Sequence, residues 1–178
     1  EKRFLSMNPS EINATMELLE KSSPELRAGL QNLYLGNAIK QSFVPSAGNI
    51  DNFIPENMLK MITGNKRDSF NAVFNDPKTR TQILEGMEAV SRVMLNNMKS
   101  GGSLMNQLRG AVGNIAGMNR IFVARFAAEM FTPAIISKYV LDPKGVKALQ
   151  TLAEPANQAK WSGALATLAN IAMRDEEE

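Results

Sequence analysis

The chain has 178 residues, of which 44% are hydrophobic, and a net charge of +2. This apolar content is enough to build a folded core and excludes a disordered tail. Cysteine and histidine are both absent, which excludes disulfides, thiolate chemistry, a Ser-His-Asp triad and imidazole metal ligands. We therefore expect a protein that is not an enzyme, with no catalytic residues, no cofactor, no metal ion and no small-molecule substrate.

A short polar residue followed by proline recurs four times along the chain. The four pairs are Asn8-Pro9, Ser23-Pro24, Asp76-Pro77 and Asp142-Pro143. A polar side chain at the N-cap accepts a hydrogen bond from a free backbone N–H, and proline suits the first helical position because it has no N–H to leave unpaired. Each pair therefore predicts the start of a helix, and Glu11 adds a capping-box spacing to Asn8.

An apolar stripe with helical spacing follows each of these starts. The predicted inward faces are Ile12, Met16 and Leu19; Leu26, Leu30, Leu33 and Tyr34; Ile83, Met87, Val90, Met94 and Met98; and Val146, Leu149 and Leu152. Recurrence every three or four residues is typical of amphipathic helices that bury one face.

The remaining segments are less regular. We predict a loop at residues 43–54 and a short helix that begins at Pro55 and stops at Gly64. We predict another short helix at residues 66–75. Glycine and serine at 100–103 end the helix that starts after Asp76. A long segment runs from residue 104 to about residue 131, and Pro133 either starts a new helix or kinks the old one.

No stretch shows sustained alternation of apolar and polar residues, so we predict no sheet. The predicted fold class is all-α: an irregular multi-helix bundle of about six to eight helices joined by short loops. We predict one domain over residues 1–178, with a helical hairpin at 1–44, further helices at 55–100, and a helical core with an acidic tail at 104–174.

The start of the chain has no apolar signal segment, and it begins at Glu1 rather than at methionine. We expect this sequence to be the C-terminal part of a longer protein that is not secreted through a signal peptide.

Three glycines share one predicted helix face between residues 110 and 117. Gly110, Gly113 and Gly117 are spaced by three and four residues, and each costs roughly 1 kcal/mol of helix propensity relative to alanine. Close approach of a second helix would offset this cost, because small residues permit a short distance between helix axes. We predict a helix-contact interface at these glycines, with a partner helix in the same chain, in a second copy of the chain, or in a membrane-embedded neighbour. Arginines interrupt the segment, so it is too short to span a membrane alone.

The middle of the chain is basic. Residues 77–147 carry ten basic and four acidic side chains. The candidates for contact with nucleic-acid phosphates are Arg92, Lys99, Arg109, Arg120 and Arg125. This block is not dense, and no aromatic platform for bases accompanies it.

The other candidate sites have simpler interpretations. Glu17 with Glu20, and Glu85 with Glu88, are predicted to be exposed charges on helix faces. No phosphate-binding loop and no G-x-S-x-G nucleophile elbow occurs. Trp161, the single tryptophan, is predicted to be a packing anchor.

Three stretches together resemble a known class of proteins. They are "MNPSEINATMELLEKSSPELRAGLQNLYLGNAIKQSF", "FNDPKTRTQILEGMEAVSRVM" and "YVLDPKGVKALQTLAEP". They resemble the C-terminal helical regions of very large internal virion, or ejection, proteins of tailed phages. The resemblance implies packaging in the capsid, oligomerisation, and contact with DNA, portal or host membrane. It carries over no catalytic residue.

We therefore predict a non-enzymatic assembly domain of a phage virion protein that acts through helix–helix association with itself or with other virion proteins. Its predicted location is the virion or the cytoplasm of the host bacterium. One alternative is a DNA- or RNA-associating module that uses the basic block at 77–147. Another is a regulatory region of a bacterial cytoplasmic protein.

Overall fold

Helices dominate the structure, which confirms the all-α fold class. The computed structural model describes residues 2–45, 51–54, 57, 62–64, 66–112 and 120–173. The chain divides into two compact units, residues 1–81 and 82–178. A single domain over the whole chain stays a prediction.

The described part of the first unit includes four helices, a short strand pair and the start of a fifth helix. Its elements are α1 (Lys2–Leu5), α2 (Pro9–Ser22), α3 (Pro24–Lys40), β1 (Phe43–Pro45), β2 (Asp51–Phe53), α4 (Arg67–Val73) and the first turn of α5 (Pro77–Lys99).

In the second unit, the described residues form the rest of α5 and five more α-helices. These are α6 (Ser103–Val112), α7 (Arg120–Glu129), α8 (Pro133–Leu141), α9 (Pro143–Ala153) and α10 (Trp161–Met173), with a 3-10 helix at Pro155–Lys160 before α10. The described residues thus hold ten α-helical segments rather than six to eight. The number rises because Pro133 starts a separate helix, α6 and α7 are distinct, and α1 carries no cap-and-proline signal.

Three of the four predicted caps form. Asn8 and Glu11 make a complete capping box: the Asn8 Oδ1 accepts from the Glu11 N–H at 3.0 Å and the Glu11 Oε2 accepts from the Asn8 N–H at 2.9 Å. The Asp142 Oδ1 accepts from the Lys144 N–H at 2.7 Å. The Asp76 Oδ2 accepts from the Thr79 hydroxyl at 2.7 Å and the Thr79 N–H at 2.9 Å, and these bonds lower the pKa of Asp76.

Ser23 does not cap α3 with its side chain, so this part of the prediction is wrong. A single residue joins α2 to α3, and the Ser23 N–H closes α2 by donating to the Leu19 carbonyl. The Ser23 backbone, with φ −157° and ψ 82°, must serve both helix ends. It therefore lacks the extended geometry that Asn8 adopts, with ψ 163°, in front of α2.

In the first unit, α2 packs against α3 and α4. The predicted face of α2 is confirmed at Ile12 and Met16, which are buried, and the short helix near residue 70 is confirmed as α4. The aromatic ring of Tyr34 meets Phe74 edge-on with ring centroids 6.3 Å apart. Gln31 strengthens the contact of α3 with the end of α4, since its Nε2 donates to the Val73 carbonyl at 3.2 Å.

The predicted inward face of α3 is largely wrong. Leu26 is 62% exposed, and Leu30 and Leu33 are half-buried. The buried positions are Tyr34, Leu35, Ala38 and Ile39. The apolar residues of α3 form two stripes. The first unit buries the stripe that contains Leu35 and Ile39.

The segment predicted as a loop at 43–54 contains a strand pair. β1 and β2 are antiparallel, and the Cα partners are Phe43 with Phe53, Val44 with Asn52 and Pro45 with Asp51. The Ile54 N–H donates to the Ser42 carbonyl at 2.7 Å beside this pair. Three residues per strand are too few for alternation to be visible in sequence. The predicted helix after Pro55 lies mostly outside the described residues.

In the second unit, α9 packs against both α8 and α10, and α6 also contacts α10. Val146, Leu149 and Leu152 of α9 are buried as predicted. The predicted stripe of α5 is confirmed at Ile83, Met87 and Val90, which are fully buried; Met94 is half-buried, and the Met98 side chain lies outside the described part.

Side-chain amides of α5 bind the carbonyl ends of two neighbouring helices. The Gln82 Nε2 donates to the Val140 carbonyl of α8, and the Asn96 Nδ2 donates to the Ala153 carbonyl of α9, both at 3.0 Å. These bonds satisfy carbonyls that have no partner within their own helix.

Both tyrosines of the chain are buried, one in each unit. Neither hydroxyl has a hydrogen-bond partner among the described residues. Burial raises the pKa of Tyr34 to about 12 and raises the pKa of Tyr139 still further. Because the native state favours the neutral phenol, burial of the tyrosines stabilises the fold fully below about pH 10. This stabilisation is lost as pH rises through the folded pKa.

We therefore expect no tyrosinate absorbance from the native protein near pH 10. The signal should appear towards pH 12, together with loss of helical circular dichroism. A spectrophotometric pH titration measures this, and the protein unfolded in guanidinium is the control, with an ordinary midpoint near about 10. A native titration near that ordinary value with the helices intact would contradict the burial of both phenols.

Candidate docking surfaces

The predicted glycine interface is only partly described. Gly110 lies in α6, is exposed, and has no atom within 4 Å of the position that a Cβ would take. Gly113 and Gly117 lie outside the described residues. A close helix contact at these three glycines stays a prediction, and in the described structure nothing covers Gly110.

The five basic candidates for phosphate contact differ in the partners of their side chains. Arg92 pairs with Glu88 at 2.6 Å, and the Arg125 Nε lies 3.4 Å from the Glu129 carboxylate. The Arg109 Nε donates to the Ala127 carbonyl at 3.2 Å.

The remaining two candidates are Lys99, which is exposed at the end of α5, and Arg120, whose side chain lies outside the described part. Because Arg92 and Arg125 pair with glutamates, these residues offer fewer free charges to phosphates than their number indicates. Contact with nucleic acid stays a prediction.

The glutamate pairs lie on exposed helix faces. Glu17, Glu20, Glu85 and Glu88 are all exposed. Within the described residues, no group of three or more carboxylates is arranged to hold a metal ion. In the same part of the chain, no helix is both long and apolar enough to cross a membrane.

The turn from α2 to α3 carries a surface that sequence analysis missed. Leu18 is 67% exposed and Leu26 is 62% exposed. Both lie within five residues of Ser23, hence within about 8 Å of the joint along their helix axes. We call this surface the leucine corner, and it comprises Leu18 and Leu26 together with the exposed carboxylates Glu17, Glu20 and Glu25.

The corner is acidic as well as apolar. Lys21 is the single basic residue between 17 and 26. Glu20 lies 3.9 Å from Arg27, a long and partly solvated ion pair, and Glu17 accepts from the Asn13 amide at 2.7 Å. Against Lys21 and Arg27, the three carboxylates leave the corner with a net charge of −1.

A second surface is a shallow groove between α9 and α10. Its volume is about 330 Å³, and we call it the lysine groove. It is lined by Lys144, Lys147, Ala148, Thr151, Lys160, Gly163, Ala164 and Thr167. Small residues form its floor, and all three lysines are exposed.

Within the described residues, the lysines of this groove have no acidic partner. No described carboxylate lines the groove, and none lies within ion-pair distance of Lys144, Lys147 or Lys160. The Thr151 and Thr167 hydroxyls donate to the carbonyls of Lys147 and Gly163, each at 3.0 Å. Their hydroxyl hydrogens are therefore already engaged, and the lysines are the donors that remain.

The sequence indicated part of the lysine groove but not the leucine corner. Lys144 and Lys147 share a face of α9 at a spacing of three residues, which sequence could have shown. Lys160 joins them only because α9 packs against α10. Leu26 was assigned to the core because its stripe has ordinary helical spacing.

Trp161 opens α10 and is 4% exposed, as expected of a packing anchor. Its Nε1 has no hydrogen-bond partner among the described residues. No protein-family model, curated protein or solved structure matches this chain.

Proposed function

We propose that this chain is a non-enzymatic assembly domain that acts by docking helix surfaces against other protein chains. The observation that carries the proposal is the pair of leucines, 67% and 62% exposed, beside the joint of α2 and α3. Contiguous exposed apolar patches mark interaction sites, and two exposed leucines that flank a one-residue joint are the residues from which we propose that such a patch is built.

The chemistry of the chain supports the same conclusion. The sequence contains no histidine and no cysteine, so the commonest general base and the commonest soft nucleophile are missing. The resemblance to internal virion proteins of tailed phages favours a virion as the assembly in which this docking takes place.

Replacing both leucines should weaken association strongly. Burial of a leucine is worth about 2 kcal/mol, and roughly two-thirds of each side chain is still available for burial, so the double change Leu18→Gln and Leu26→Gln should cost on the order of a hundredfold in affinity. Size-exclusion chromatography with light scattering over a series of concentrations measures the effect.

Leu84 and Leu95 provide the matched control. They are 37% and 41% exposed on α5, and Leu84→Gln with Leu95→Gln should leave association unchanged. A wild-type protein that stays monomeric at every concentration would refute the proposal, as would equal loss of association in the leucine-corner variant and this control.

A further inference from the structure

We propose that the lysine groove receives the leucine corner of a second copy of this chain. This inference rests on the proposed function and names its partner. The corner belongs to the first unit and the groove to the second, so the contact joins different surfaces of the two copies.

Charge favours this pairing. Among the described residues, the lining of the groove has three lysines and no carboxylate, whereas the corner has three exposed glutamates against Lys21 and Arg27, a net charge of −1. Opposite fields of this kind steer two surfaces together and fix their orientation, and they also repel corner from corner and groove from groove.

Shape and polarity also favour docking of the leucine corner in the lysine groove. The floor of the groove consists of Ala148, Gly163 and Ala164, and no atom lies within 4 Å of the position that a Gly163 Cβ would take. Small residues leave room for protruding side chains of a docked helix, as when an amphipathic helix lies in an apolar groove. Leu18 and Leu26 are such side chains.

The alternative occupant is the phosphate backbone of a nucleic acid. Phosphates in built sites receive hydrogen bonds from hydroxyl and backbone groups as well as charge. Here both threonine hydroxyls already donate within α9 and α10, and the floor is apolar. These features favour a helix bearing leucines and carboxylates over a bare polyanion.

Docking of a corner into a groove sets the possible assemblies. Two copies either exchange both contacts in a closed symmetric dimer, or share one contact and keep one free corner and one free groove between them, from which association continues into a ring or an open filament. Mass should therefore rise to the dimer or beyond as concentration increases.

Charge reversal of each side tests the pairing. The groove variant is Lys144→Glu, Lys147→Glu and Lys160→Glu; the corner variant is Glu17→Lys, Glu20→Lys and Glu25→Lys. Each variant alone should sediment as a monomer, because it presents like charges on both surfaces. An equimolar mixture should recover assembly, since every corner then finds an oppositely charged groove. Circular dichroism melts show that both variants are folded.

The outcomes separate the inference from the proposed function. If the groove variant assembles like the wild type while the leucine variant does not, the groove is wrong and docking through the corner stands. If each variant is monomeric and the mixture stays monomeric, the pairing is refuted. If the groove variant loses binding to a DNA duplex at low salt but retains self-association, the groove binds phosphates and the pairing is refuted.

Discussion

Gly145→Ala should destabilise the second unit by at least about 3 kcal/mol, because overpacking here forces backbone against backbone. Gly145 lies in the first turn of α9, directly after the Asp142 cap and Pro143. A Cβ at this position would collide with the Tyr139 carbonyl oxygen and would lie 2.8 Å from the Tyr139 Cα. Flexible side chains could move aside, but the last turn of α8 cannot move without losing its packing.

Two other glycines are matched controls for this substitution. A Cβ on Gly86 would meet the Val140 and Val146 methyl groups at 3.1 Å, so Gly86→Ala should be close to neutral once its gain in helix propensity is counted. A Cβ on Gly163 would meet no atom within 4 Å. Gly163→Ala should therefore stabilise α10 by up to about 1 kcal/mol.

Urea unfolding followed by Trp161 fluorescence measures all three variants, since the single tryptophan lies in the second unit. The expected order of stability is Gly163→Ala, then Gly86→Ala, then Gly145→Ala. A Gly145→Ala protein as stable as the wild type would show that α8 and α9 do not approach as closely as described.

Trp161→Ala should cost about 3–5 kcal/mol, the usual range for deletion of a buried large aromatic side chain. Trp161 begins α10, and its side chain is 4% exposed. Removal of the indole leaves a cavity where α10 starts. Because the Nε1 has no hydrogen-bond partner among the described residues, Trp161→Phe should stay within about 1 kcal/mol of the wild type.

Denaturant unfolding followed by circular dichroism distinguishes the two Trp161 variants, since both lack the fluorophore. Leu95→Ala on α5 is a control for loss of an exposed apolar side chain and should cost well under about 1 kcal/mol. Equal destabilisation by alanine and phenylalanine at position 161 would mean that the indole N–H, rather than packing, stabilises the site.

Local chemistry made much of the fold predictable. Asn8, Asp76 and Asp142 are short polar residues before proline, and each caps its helix because the cap geometry depends on a few neighbouring residues alone. The stripe of α5 was predictable because Ile83, Met87 and Val90 form one apolar face with no competing stripe.

The features that could not be predicted from sequence depend on tertiary packing. In α3, the stripe of Leu26 and the stripe of Leu35 have similar spacing, and only the position of α2 and α4 selects between them. Ser23 fails as a cap because it closes one helix while opening the next. The lysine groove needed Lys160 to meet Lys144 across two packed helices, which no spacing within one element can show.

Charge counted along the sequence and charge placed in the structure differ for the basic block. The block was counted along residues 77–147, yet Arg92 and Arg125 face glutamates one turn away on their own helices. Lys160 lies outside that block but lines the lysine groove together with Lys144 and Lys147 of the block. Net charge over a segment therefore does not show which charges are paired in three dimensions, and contact of the block with nucleic acid stays a prediction.

The most direct test of docking between corner and groove is sedimentation velocity of the wild-type protein at low and at high salt over a range of concentrations. Docking predicts a dimer or larger species at low salt, which dissociate at high salt because exposed charges are screened beyond about 3 Å at 1 M ionic strength. A monomer in both conditions, or a symmetric dimer indifferent to salt, would contradict it.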